Sequence, residues 1–162
     1  MSDAADPHLR AIQLLRQEGD SLALALALRN LGEVQRSLPG SDGGIAAYQE
    51  AIAILRQQSV PLKLAHTIRH LGDIYRHRGD FDQASRCYDE ALNLYRDKPD
   101  ARPLDLANAL RSAALLKEKT GDAQNAIKFW EEAKGLYAAA NVETGAAEGA
   151  RRLERLRESK HE

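Results

Sequence analysis

Three stretches of this chain can be laid under one another: SLALALALRNLGEV (21–34), PLKLAHTIRHLGDI (61–74) and PLDLANALRSAALL (103–116). Each carries Leu-x-Leu-Ala near its start and an arginine further along, at Arg29, Arg69 and Arg111. The segments that follow also align: GIAAYQEAIAILR (44–56), QASRCYDEALNLYR (83–96) and NAIKFWEEAKGLYA (125–138). In them Tyr48, Tyr88 and Trp130 fall in step, as do Ala51, Ala91 and Ala133, at offsets of 40 and then 42 residues. The N-terminal HLRAIQLLR (8–16) matches the second half alone, through Ala11 and Arg16. ETGAAEGARRLERLRE (143–158) matches the first half alone, with Arg151 in step. The chain is half a repeat, three whole repeats and half a repeat. A unit recurring at this period predicts stacked supersecondary structure rather than one closed core.

The unit is helical. Ala, Leu, Arg, Gln and Glu dominate, all good helix formers, and β-branched residues are few. Pro61 and Pro103 stand just before apolar periodic runs, where the missing N–H costs nothing. Gly79-Asp80 and Gly121-Asp122 read as a helix-ending glycine followed by a capping aspartate. The breaks predict seven to eight helices and no strand. They give a half-repeat helix at 8–18, repeats at 20–57, 61–97 and 103–139, and a capping helix at 143–159. On the first helix of repeat two, Leu64, Ile68, Leu71, Gly72 and Tyr75 share a face. Glycine inside a helix costs about 1 kcal/mol against alanine. Gly72, matched by Gly32 and Ala114, therefore predicts close approach of another backbone. On the second helix Ala84, Tyr88, Ala91 and Tyr95 share a face, small residues alternating with rings.

The pattern resembles the tetratricopeptide repeat family. The residues that carry the likeness are Leu71-Gly72-Asp73-Ile74-Tyr75, Gly79, Ala84, Tyr88 and Ala91. Repeat one keeps Leu31-Gly32, Tyr48 and Ala51 but has Gln35 and Pro39 for the Tyr and the turn Gly. Repeat three keeps Gly121, Ala126, Trp130 and Ala133 but has Ala113-Ala114 for Leu-Gly. The long spacing is similar to the branch found in kinesin light chains, cell-polarity adaptors and arrays attached to bacterial regulators. The resemblance implies an all-α solenoid of antiparallel helix hairpins in a right-handed superhelix. It also implies a concave groove, lined by the first helix of each repeat, in which a peptide lies.

A second, polar stripe runs opposite the core face of each first helix. It comprises Leu26, Arg29, Asn30 and Glu33, then His66, Arg69, His70, Asp73 and His77. Asn108, Arg111, Ser112 and Leu115 continue it, and Glu148, Arg151, Arg152 and Arg155 end it. The plain alternative is a solvated helix face. An arginine recurring in register beside asparagine instead predicts ligand contact, because the guanidinium fork suits carboxylates and an amide can pair with a peptide backbone. The expected ligand is acidic or ends in a carboxylate. The carboxylate clamp for chaperone tails is not expected, since Arg29 and Glu33 stand where that subtype needs Lys and Asn.

His66, His70 and Asp73 could together meet a metal, although no HExxH is present and a groove-lining role is the simpler reading. No metal or other cofactor is expected. The glycines of residues 40–44 lack the Lys and Ser/Thr of a phosphate loop, and nothing places a serine in a nucleophile elbow, so no enzyme is expected. With 23 Lys+Arg against 24 Asp+Glu, the net charge of −1 gives no reason to expect nucleic acid or a membrane surface as partner. The one cysteine, Cys87, cannot form an internal disulfide. The first residues lack the basic and apolar regions of a signal peptide, so a cytoplasmic protein is expected.

The expected function is a protein- or peptide-binding scaffold with an acidic partner. The alternatives are a homo-oligomerisation module, with a dimer through terminal helices where Ile12, Leu14 and Leu15 need cover, and a histidine-based metal or pH-responsive protein. Residues 143–158 are expected to cap the stack, docking Ala147, Ala150, Leu153 and Leu156 and turning a charged face to water.

Overall fold

The computed structural model describes residues 7–38 and 43–159. They form eight helices and, among the described residues, no strand. In chain order these are α1 (Pro7–Glu18), α2 (Ser21–Arg36), α3 (Ile45–Gln57), α4 (Pro61–His77), α5 (Phe81–Arg96), α6 (Pro103–Lys119), α7 (Ala123–Ala139) and α8 (Glu143–Glu158). The local chemistry explains the boundaries. Pro61 and Pro103 open α4 and α6, and the carboxylates of Asp20, Asp80 and Asp122 accept the backbone N–H groups of Ala23, Gln83 and Asn125. Gly19, Gly79 and Gly121 directly precede those aspartates with φ near +80°, the left-handed turn that only glycine adopts without strain. Pro39 and most of the glycine-rich break at 38–44 lie outside the described residues.

Each helix packs chiefly on its neighbours in sequence, giving the hairpins α2–α3, α4–α5 and α6–α7 with α1 and α8 at the ends; only α4 and α6 touch substantially across one helix. That is the all-α solenoid. Within each hairpin one ring of the second helix fills the gap left by a small residue of the first. Tyr48, Tyr88 and Trp130 are at most 1% exposed, and Ala51, Ala91 and Ala133 beside them are fully buried. A Cβ on Gly72 would lie 2.7 Å from the Tyr88 ring and 2.9 Å from the Cβ of Cys87. The close neighbour is thus a side chain, not the backbone expected at this position. At Gly32 both occur, with the Tyr48 ring at 2.7 Å and the Gly44 carbonyl at 3.3 Å. Cys87 itself is half-buried beside this contact, and burial pushes its thiol up to about 12, so it behaves as a small apolar residue.

The second helices are stitched together along the convex side. Arg16 meets Glu50 at 2.6 Å, Arg56 grips Glu90 at 2.6 and 2.9 Å, and Arg96 meets Glu132 at 2.6 Å. Each pair links one repeat to the next at the same register. Exposed pairs of this kind contribute about 0–1 kcal/mol apiece, so they set register more than stability.

The ends differ from the sequence expectation in detail. In α1, Ile12 is 5% exposed against α2 and α3, Leu15 is half-buried and Leu14 is 51% exposed. In α8, Leu153 and Leu156 pack with Trp130, and Gly149 is buried, but Ala147 and Ala150 stay exposed. The docking face is therefore rotated from the one anticipated, because Gly145 and Gly149 let α8 lie close on Tyr137 and Lys134 of α7.

Two glycine substitutions should part company. Gly72→Ala gains helix propensity but forces the Tyr88 ring aside, and should lower unfolding free energy by about 1–3 kcal/mol. Gly135→Ala, in α7 with nothing near the new methyl group, should raise it by about 0.5–1 kcal/mol. Urea unfolding followed by circular dichroism measures both; equal effects would mean that the ring contact carries no energy.

Candidate functional site

The first helices α2, α4, α6 and α8 bring their polar stripes to one concave side, but the stripe is less open than its sequence suggests. Asp73 is only 8% exposed. It accepts a 2.7 Å hydrogen bond from the Tyr88 hydroxyl and a 3.2 Å one from Arg69, with Arg76 at 3.8 Å. Arg76 also donates to the Tyr88 oxygen at 3.2 Å. Glu33 does the same work in repeat one, accepting from Tyr48 at 2.9 Å while pairing with Arg36. The acid after each helix glycine thus anchors the ring that fills the hairpin, and burial beside that carboxylate raises both tyrosines' pKa values. Repeat three changes all the parts together. Leu115 occupies the acid's position, and Trp130 instead donates its indole N–H to Glu118 at 2.6 Å, one turn further along. Sequence reasoning missed these bonds, although one signal was present: an acid follows the glycine, and a tyrosine comes fifteen residues later, in both repeats one and two.

The recurring arginines have different surroundings. Arg29 donates to Asn30 at 3.3 Å rather than to Glu33. Arg69 is held between Asp73 and the His70 ring nitrogen Nε2, 2.8 Å away, with 13% of its side chain exposed. Packing therefore accounts for part of its position, contrary to a stripe lying wholly opposite the core. Arg111 grips Glu148 of α8 at 2.6 and 3.0 Å and is 40% exposed.

Between α4, α6 and α8 the concave side opens into a space of about 710 Å³. It gathers Arg69, Asp73, His77, Asn108, Arg111, Ser112, Leu115 and Arg152, eight of the residues anticipated from the stripe. Arg36, Arg76 and Lys119 add three cations to its walls, and Glu118 a second carboxylate. Six cations face two acids there. Asn108 accepts the Tyr137 hydroxyl at 2.7 Å through its carbonyl oxygen, which leaves its amide hydrogens as donors. A smaller adjoining space of about 470 Å³ contains Arg151, with Thr144, Glu148, Arg155 and the shared Arg111 and Arg152. Arg29, Asn30, Glu33, His66 and His70 line neither.

His66, His70 and Asp73 do not converge on one point. His66 and His70 meet edge to face, 4.6 Å between ring centres, but Asp73 is turned to Tyr88 and Arg69. Among the described residues no group of three ligating side chains is placed to hold a metal. Burial, reinforced by Arg69, lowers His66 to about 4 and His70 to about 3. Because Arg69 donates to Nε2 of His70, the proton sits on Nδ1, 3.9 Å from Glu33 and without a hydrogen-bond partner. Desolvation thus keeps both rings neutral near pH 6, against the pH-responsive alternative drawn from the sequence.

No described helix is long and apolar enough to cross a membrane. A family model described as tetratricopeptide repeat matches residues 41–97 and 63–139, together more than half of the chain. Among solved structures, BtubC (BKLC) from P. vanneervenii is similar at a TM-score of 0.52 and 17% identity, over 93% of this chain and 78% of that one. A putative kinesin light chain with nearly identical TPR-like repeats, from Podosopora anserina, aligns over 94% of both chains at 12% identity with a TM-score of 0.34. At these identities the first likeness is one of fold, and the second is too loose to extend it. No curated protein matches the chain.

The buried histidines make stability depend on pH with a definite sign. Both bind a proton more readily unfolded, near pH 6.5, than folded, near pH 4 and 3. Their contribution is whole above pH 6.5 and is lost as the pH falls towards 4 and 3. The urea midpoint should therefore drop between pH 7 and 5, and the drop should shrink in a His66→Gln/His70→Gln protein. An identical drop in both proteins would mean that other groups are responsible.

Proposed function

Because the chain belongs to the tetratricopeptide repeat family, we propose that it is a binding scaffold that holds an acidic protein or peptide segment against its concave side. Repeats of this family mediate protein–protein interactions. The acidic preference rests on one observation: six cations and two carboxylates surround a single space in a protein whose net charge is −1. A carboxylate-rich segment lying there would meet Arg69, Arg111 and Arg152, with Asn108 and Ser112 beneath it to pair with main-chain groups. His77 borders the same space, and Arg151 extends the charge along α8. Arg29, Asn30, Glu33, His66 and His70 would meet only a ligand long enough to run onto α2 and the start of α4. This reading asks for no catalysis and no cofactor, and the protein would work in the cytoplasm.

A second reading has one observation in its favour. Leu14 stands 51% exposed on α1, beside half-buried Leu15, and would be covered in a homodimer through that helix.

Fluorescence anisotropy with labelled hexaglutamate and hexalysine tests the acidic preference. Hexaglutamate should bind, more weakly as salt rises, and hexalysine should not. Arg36→Glu combined with Lys119→Glu, both at exposed positions bordering the space, should weaken hexaglutamate binding by about tenfold or more, roughly 1.4 kcal/mol, with the melting temperature little changed. Equal binding of the two peptides would dismiss the acidic reading.

A further inference from the structure

The arginines of the concave side recur in register, and so do the residues three positions before them: Leu26 before Arg29, His66 before Arg69, Asn108 before Arg111 and Glu148 before Arg151. The last three of these residues each belong to the concave-side helix next in the stack after the preceding arginine of the series. Arg29 is close enough to His66 for its charge to hold the imidazole's proton off, and Arg69 shares the main concavity with Asn108. Arg111 meets Glu148 directly. The register position is apolar or neutral in the first three helices and carries a carboxylate only in α8.

The geometry of that carboxylate is the one a ligand would use. Its two oxygens take Nε and Nη2 of Arg111 at 2.6 and 3.0 Å, the side-on fork by which arginine binds a carboxylate. One oxygen also lies 3.8 Å from Arg152. Both arginines border the main space and the smaller adjoining one, and Glu148 itself lines the smaller of the two. The pair is not sealed in the core: Arg111 is 40% exposed and Glu148 20%. Glu148 contributes no hydrogen bond to a buried ring, unlike Glu33, Asp73 and Glu118.

We infer that Glu148 is a built-in stand-in for the ligand's own carboxylate: it occupies Arg111 in the free protein, and an acidic segment must displace it to bind there. This rests on the acidic-ligand reading above and adds a determinant to it. Glu148 sets how tightly the α6–α8 end of the concave side takes acid, and it leaves a ligand's first acidic contacts to the arginines nearer α4. Displacement would also free α8 from one of its ties to α6, while Arg152 and Arg155 still hold Glu118 at 3.1 Å.

Labelled hexaglutamate is the probe, titrated against the wild type, Glu148→Gln, Glu148→Asp and Glu131→Gln. Glu131 pairs with Arg157 away from the concave spaces, so its variant changes net charge equally without touching Arg111. Glu148→Gln should bind about five- to tenfold more tightly than wild type, with a steeper dependence on salt. Glu148→Asp, which keeps the charge on a shorter arm, should fall between them, and Glu131→Gln should stay within about twofold of wild type. Melting curves confirm that each variant is folded, and Glu148→Asp decides the matter if Glu148→Gln is not. Wild-type binding with Glu148→Gln unchanged or weaker, or with Glu131→Gln equally tightened, overturns the inference while leaving the acidic reading intact. No binding by the wild type or by any variant overturns both.

Discussion

A ring lying on a small residue, with its polar edge tied to an acid on the facing helix, sets the geometry of each hairpin. Tyr48 lies on Gly32 and donates to Glu33, and Tyr88 lies on Gly72 and donates to Asp73. Trp130, in the repeat that has Ala114, donates to Glu118. The apolar contact fixes how closely the two helices approach, and the hydrogen bond fixes their rotation. Neither suffices alone: a ring without the small residue cannot fit, and a buried phenol without an acceptor would carry an unmet donor. Once the hairpin is set, stacking copies its geometry along the chain.

That arrangement also explains the uneven spread of charge. The convex side uses its charges in matched pairs, each arginine meeting a glutamate of the following repeat. On the concave side several acids are consumed by the hairpins themselves, so Asp73 serves Tyr88, Arg69 and Arg76 together, and Glu118 serves Trp130, Arg152 and Arg155. Arginines outnumber carboxylates there because the carboxylates are shared. A basic hollow thus arises in a protein with almost no net charge.

The architecture was legible in the sequence because packing demands repeat with the repeats. Leu71, Gly72, Tyr88 and Ala91 recur at 40 or 42 residues since each copy solves the same problem. The polar stripe was legible only in part. Periodicity placed Arg69 and Asp73 on one helix face, but it could not show that a phenol from the next helix reaches Asp73 and draws it into the core. The histidines failed for a related reason: helical spacing brings His66 and His70 together, while their burial depends on Arg69 and on neighbouring helices. Arg111 could be located from register, yet its partner Glu148 lies 37 residues away, where no local pattern points.

The stack has no centre, and this governs how it comes apart. Most packing is between neighbours in sequence, so each hairpin's hold on order is set by what flanks it. The first helix, α1, buries only Ile12, whereas α4 and α6 are gripped from both sides and each buries seven or more residues. The chain therefore behaves as a zipper with a loose pull-tab: amides of α1 should open to solvent exchange through local fraying, and those of α4 and α6 only when the middle of the stack gives way.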